Sequence, residues 1–159
     1  MRSCGLSALF SLLLAAEVKL LAAEVTPSVP AGWKVIKDSK GACQIAVPAD
    51  WTPSENPGSA AFQDATIAVV TNQPGQTLKP LSESMQKILG IAKDKLFENT
   101  IRRIYYQDKV ARNATDSNAF IAMVPGKSGT CSSRVVFLSV VPEDTAKKIT
   151  LSIGPVPDF

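Results

Sequence analysis

The chain has 159 residues, of which 45% are hydrophobic and 19% charged, and its formal net charge at pH 7 is +3. Its length suits one domain of ordinary size, and its composition is that of a globular chain rather than a disordered one. The near-balanced charge argues against a nucleic-acid binder, which would carry a concentrated basic excess. The chain contains no histidine, so it lacks the commonest general base and the commonest metal ligand.

Residues 1–23 have the features of a cleaved export signal. Arg2 gives a positive start, and residues 6–16 (LSALFSLLLAA) form an apolar run that is too short to span a bilayer as a helix. Small residues would allow cleavage after Ala16 or Ala23, while an uncleaved anchor or a buried helix is the alternative. We therefore expect a secreted or periplasmic protein with no stable membrane span after cleavage.

In chain order, the mature part is predicted to be an extended linker over residues 24–32 followed by one domain over residues 33–159. Apolar alternation and β-branched runs predict strands over residues 33–36, 43–47, 65–71, 100–107, 110–112, 118–124, 131–141 and 149–153. One helix is predicted over residues 81–97, with Pro80 before it and Gly90 in its middle. Asp108 and Lys109 are expected to form a turn. This order predicts an α+β fold in which one main helix packs on one face of an antiparallel sheet.

Removal of the leader leaves two cysteines, Cys43 and Cys131, both on predicted strands. An oxidising compartment favours one disulfide between them, and the alternative is two buried free thiols. Two cysteines without histidine are too few ligands for zinc, so we expect no metal and no cofactor. Asn113 begins a glycosylation acceptor, which matters only in a eukaryotic source.

Residues 43–51 (CQIAVPADW) combine an alternating strand, a proline at its end and a tryptophan shortly after. In an exported domain this pattern resembles the PsbP-like fold, over roughly residues 33–153 in the order of elements. The resemblance implies a binding or scaffold protein without enzyme activity. Such domains usually close with a C-terminal helix, which is not predicted here. We therefore expect an uncovered sheet face through which a partner or a second copy could associate.

Five residues form a candidate ligand or partner surface: Trp51, Arg102, Arg103, Tyr105 and Tyr106. The arginines and tyrosines are the densest basic and aromatic group and would attract an anionic partner, a glycan or a membrane headgroup. The alternative is a strand whose arginines face solvent while its tyrosines pack. On a strand, Arg103 and Tyr105 share one face, and Arg102 and Tyr106 share the other. Trp51 is suited either to a ligand groove or to the core.

Catalytic patterns are few. Ser84 and Lys87 have the spacing of a Ser–Lys pair, and Asp50, Glu55 and Asp64 flank the Trp51 loop. Both patterns are common on ordinary surfaces, so we expect no enzyme activity and no catalytic residue. The leading hypothesis is an exported binding or scaffold domain for an unidentified protein or small ligand. The alternatives are a small extracytoplasmic hydrolase that uses the acids near Trp51, and a subunit of an envelope assembly.

Overall fold

The computed structural model describes residues 29–62, 66–112, 115–137 and 140–158. Within these ranges the strands are β1 (Trp33–Lys37), β2 (Cys43–Pro48), β3 (Thr52–Pro53), β4 (Ser59–Phe62), β5 (Thr66–Pro74), β6 (Leu96–Asn99), β7 (Ile104–Arg112), β8 (Thr115–Pro125), β9 (Gly129–Phe137) and β10 (Gly154–Pro155). The helices are α1 (Glu83–Ile88) and α2 (Glu143–Leu151), and a 3-10 turn covers Lys93–Lys95. The predicted export signal over residues 1–23 and the predicted glycosylation site at Asn113 lie outside the described residues.

The strands form two antiparallel sheets. The larger sheet has seven strands in the order β3-β4-β5-β9-β8-β7-β6, and the smaller has three in the order β1-β2-β10. Strands β7 and β8 form the longest pairing, from Ile104 opposite Met123 to Arg112 opposite Thr115. Antiparallel sheets accompanied by two helices confirm the predicted α+β class.

Both faces of the larger sheet bury apolar side chains. Alternate residues of β8 divide between them, because successive side chains of a strand point to opposite faces. Phe120 and Ala122 join the larger cluster, which also includes residues of α2 and β2. Ala119 and Ile121 join a smaller cluster on the opposite face. The sheet is therefore the middle layer of the domain.

The helix predicted over residues 81–97 is wrong over most of its length. Helix α1 covers only Glu83–Ile88 and has no buried residue, and the chain forms strand β6 by Leu96. Gly90 has a φ of 68°, its N–H donates to the Lys87 carbonyl, and the N–H of Ile91 donates to the Gln86 carbonyl. These two bonds are those of a Schellman motif, in which glycine ends a helix. Gly90 is thus a terminator rather than an interior residue.

The strand predicted over residues 149–153 is also wrong, because helix α2 occupies Glu143–Leu151. Ala146, Ile149, Thr150 and Ile153 are all buried at helical spacing. Glu143 and Asp144 lie in the first turn, where the helix dipole favours negative charge. Helix α2 packs mainly on β9 and β8. The sequence predicted no C-terminal helix and therefore an uncovered sheet face. Helix α2 covers part of that face.

Two other predictions are wrong in their boundaries. Asp108 and Lys109, predicted as a turn, lie within β7, where they pair with Ala119 and Asn118 of β8. The strand predicted to begin at residue 100 begins at Ile104, after a turn in which the Thr100 N–H donates to the Arg103 carbonyl. The chain therefore turns at residues 100–103, before β7, and not at residues 108–109.

A disulfide joins Cys43 of β2 to Cys131 of β9, with 5.5 Å between their Cα atoms. The predicted pairing is confirmed. The two strands belong to different sheets, so the bond connects the sheets instead of neighbouring strands within one sheet. Both cysteines are buried, with exposed fractions of 1% and 0%.

Candidate binding site

Trp51 is a core residue in this structure. Only 3% of it is exposed, and its ring stacks on Phe62 with 6.0 Å between centroids. The Lys34 ammonium donates to its carbonyl oxygen. A residue held in this way anchors the strands around it and offers almost no surface to a ligand.

The other four candidate surface residues do not form one surface. Tyr105 packs in the larger cluster and Tyr106 in the smaller one on the opposite face, as strand alternation predicts. Arg102 is exposed in the turn before β7, and Arg103 lies 3.6 Å from the Glu98 carboxylate. The structure therefore separates the basic and aromatic group between two faces and a turn.

Tyr105 has an unusual environment. Its ring lies 4.9 Å from that of Phe97 and 5.9 Å from that of Phe120, and its buried hydroxyl has no hydrogen-bond partner among the described residues. Burial, with a smaller contribution from the Glu143 carboxylate, raises the pKa of Tyr105 to about 12. The pKa of Tyr106 is also raised, by burial and by Asp108, against the opposing effect of Arg134.

The described catalytic candidates form no hydrogen bond or ion pair with one another. Asp50 and Glu55 are exposed, and Asp64 lies outside the described residues. The Ser84 hydroxyl lies 2.9 Å from that of Ser82. Among the described residues, no group of three or more His, Cys, Asp or Glu is arranged to hold a metal ion.

Residues 75–82, between β5 and α1, cross the larger sheet on the face away from α2, and we call this segment the strap. Near its start, the Thr130 hydroxyl of β9 donates to the Gln76 carbonyl at 2.7 Å. In its middle, Leu78 packs into the smaller cluster with residues of β7 and β8. Near its end, Leu81 is hydrogen-bonded to Asn99 of β6. The strap thus passes over β9, β8 and β7 to reach the edge strand.

An open groove of about 310 Å³ lies along the strap. Its floor is formed by one residue from each of four neighbouring strands: Gln73 of β5, Thr130 of β9, Met123 of β8 and Ile104 of β7. One wall is the strap itself, from Gln76 to Ser82, and Met85 of α1 also lines the groove. The groove therefore runs across the strands of the sheet.

The groove offers apolar contact and hydrogen-bonding groups together. The apolar contact comes mainly from Met85, which is 43% exposed, because Ile104 is only 1% exposed. The main-chain groups of Thr77, Leu78 and Lys79 form no hydrogen bond with any other described residue. Main-chain polar groups require a partner from the protein, from water or from a ligand. These features make the groove the candidate binding site.

The chain matches no protein-family model and no curated protein sequence. None of the helices in the described ranges is long and apolar enough to cross a membrane.

The sequence predictions missed the groove. The predicted strand over residues 65–71 and the predicted helix over residues 81–97 left most of the strap between two predicted elements. A usable signal was present, because Gly75 and Pro80 disfavour regular structure over the stretch between them. The floor residues were not identifiable, since they come together only through the pairing of four strands.

Proposed function

We propose that this protein is an exported, non-enzymatic binding domain that takes its ligand in the groove beside the strap. The observation that carries the proposal is the groove itself. It has a floor of two apolar and two polar residues and a wall of main-chain groups that lack partners among the described residues. A concave, largely apolar surface with a few convergent polar groups is the usual form of a ligand site.

The proposed compartment is supported by two observations of different kinds. The amino-terminal sequence has the charge, length and small residues of an export signal. The disulfide between Cys43 and Cys131 is of the kind that persists in oxidising compartments. We place the protein in the periplasm or outside the cell, and the PsbP-like resemblance remains a prediction of the sequence.

In situ photo-crosslinking tests the binding role. A photoreactive amino acid placed at Met85 should form covalent adducts in the native host, because this side chain lines the groove and is exposed. The same amino acid at Val35 is the matched control, since Val35 is similarly exposed at 38% but belongs to β1 of the smaller sheet. Equal labelling from both positions, or no adduct from Met85, would refute the groove as the binding site.

Two measurements test the other parts of the proposal. Mass spectrometry of native material should find an N-terminus beyond residue 16 or 23 and a mass that rises on reduction. An intact, reduced chain in the cytosol would contradict export. Turnover in a broad hydrolase screen that disappears in Ser84→Ala would contradict a non-enzymatic role.

A further inference from the structure

We infer that the occupant of the groove is an extended peptide that pairs its main chain with the strap. The inference rests on the proposed function, since it names the ligand class for the same groove. It is carried by Thr77, Leu78 and Lys79, whose main-chain groups have no partner among the described residues.

The strap is fixed in place before any ligand arrives. Leu78 is only 8% exposed and fastens the middle of the strap to the sheet, while Gln76 and Leu81 are hydrogen-bonded to β9 and β6. Lys79 precedes Pro80, a position that favours β or polyproline backbone angles. The donors and acceptors of residues 77–79 are therefore held on an extended wall, as on the edge of a sheet. Extended peptides bind exposed sheet edges through main-chain hydrogen bonds.

The dimensions of the floor suit a short peptide. The floor crosses four neighbouring strands. With about 4.8 Å between adjacent strands, the width of the floor is roughly 14 Å. An extended peptide of about four residues has this length, at about 3.3 Å per residue. An extended chain also points alternate side chains towards the floor. One or two apolar side chains of the peptide would then contact Met123 of the floor, while the intervening side chains face solvent.

The charge of the lining favours an acidic ligand. Lys79 is the one charged residue that lines the groove within the described part of the chain, and it forms no ion pair with another described residue. Met85 and Met123 add unbranched, polarisable contact that adapts to different apolar side chains. The fitting ligand is therefore a short extended segment with an apolar residue next to an aspartate or glutamate.

A displayed library of random hexapeptides is the probe. The protein is expressed as the full chain and purified after export, and the enriched peptides are synthesised for measurement of Kd. We expect apolar residues adjacent to acidic ones. Met85→Glu should weaken binding at least tenfold, and Val35→Glu should leave Kd unchanged. Helix α1 has no buried residue, so Met85→Glu does not endanger folding. Lys79→Glu should remove the preference for acidic residues.

N-methylation of the peptide tests main-chain pairing without altering the protein. Alternate amides of an extended ligand point towards the strap, so methylation of those amides should weaken binding at least tenfold, and methylation of the intervening amides should not. Binding that responds to Met85→Glu but ignores every N-methyl group would refute this inference and leave the groove as the binding site. Failure to enrich any peptide would refute a peptide occupant. Enriched peptides that ignore Met85→Glu would count against both the inference and the groove.

Discussion

The side-chain amide of Asn99 forms hydrogen bonds with both main-chain polar groups of Leu81. Its Oδ1 accepts the Leu81 N–H at 2.7 Å, and its Nδ2 donates to the Leu81 carbonyl at 3.0 Å. One side chain of the edge strand thereby fixes the far end of the strap.

Loss of this clamp should destabilise the protein. Asn99→Leu leaves the partly buried Leu81 N–H without its acceptor, a change that costs about 1–3 kcal/mol. Asn99→Asp should cost less, because it keeps the acceptor and the Leu81 carbonyl still receives the Gln86 side chain. Urea unfolding of both variants measures the difference. Equal midpoints for wild type and Asn99→Leu would show that the clamp is not formed in solution.

The assignment of the C-terminal helix is tested by a pair of isoleucines. Ile149 of α2 is 0% exposed, so Ile149→Ala removes buried contacts and should cost about 2–5 kcal/mol of unfolding free energy. Ile88 of α1 is 76% exposed, and Ile88→Ala should change stability by no more than about 0.5 kcal/mol. Similar losses at both positions would be inconsistent with this packing.

The disulfide should contribute much of the stability. It closes a loop with a sequence separation of 88 residues, for which the chain-entropy model gives an upper value of roughly 4–5 kcal/mol. The double variant Cys43→Ala with Cys131→Ala should therefore unfold at a much lower urea concentration. Because both sulfurs are buried, reductant should act on the wild type only in denaturant. Rapid reduction of the native protein would contradict the buried position of the bond.

The tyrosines predict how stability falls at high pH. The pKa of Tyr105 is about 12 in the folded protein, above its ordinary value of 10.0. The protonated Tyr105 hydroxyl therefore adds to the free energy of unfolding in full below pH 10. This addition is lost between about pH 10 and 12, because the Tyr105 hydroxyl loses its proton at lower pH in the unfolded chain than in the folded one. Stability should decline less steeply across this window in Tyr105→Phe than in the wild type.

The same substitution has a second expected effect at neutral pH. Tyr105→Phe removes a buried hydroxyl that has no partner among the described residues, so it should be neutral or stabilising by up to about 1 kcal/mol. Absorbance titration provides an independent check. The chain has two tyrosines, and both have raised pKa values, so the native signal should change at higher pH than the unfolded signal. A loss of more than 1 kcal/mol would indicate that the hydroxyl has a partner.

The fold class and the disulfide were predictable from the sequence, because alternating strands and paired cysteines are local or compositional signals. The last element was not. Ile149, Leu151 and Ile153 alternate like a strand, whereas the true buried face includes Thr150. Because threonine is polar, Thr150 was not counted among the apolar residues that define a buried face. In the structure it is fully buried, and its hydroxyl donates to the Ala146 carbonyl at 2.8 Å.

The candidate site was beyond sequence prediction for a different reason. The strap has no periodicity of its own, and its course is fixed by contacts made 54 residues away at Thr130 and 18 residues away at Asn99. The predicted surface residues do not lie together, because aromatic side chains pack in a core as readily as they contact a ligand. Trp51, Tyr105 and Tyr106 are all at least nine-tenths buried.

The position of the disulfide also has a mechanical meaning. Strands β1 and β10 flank β2 in the smaller sheet, so a pull applied at Trp33 and Pro155 loads that sheet first. Once those strands separate, the tension passes along the covalent bridge from Cys43 to Cys131 and bypasses the residues between them. The strap and the groove belong to the bypassed stretch. The strap and the groove would therefore carry no tension while the ends of the domain are pulled apart.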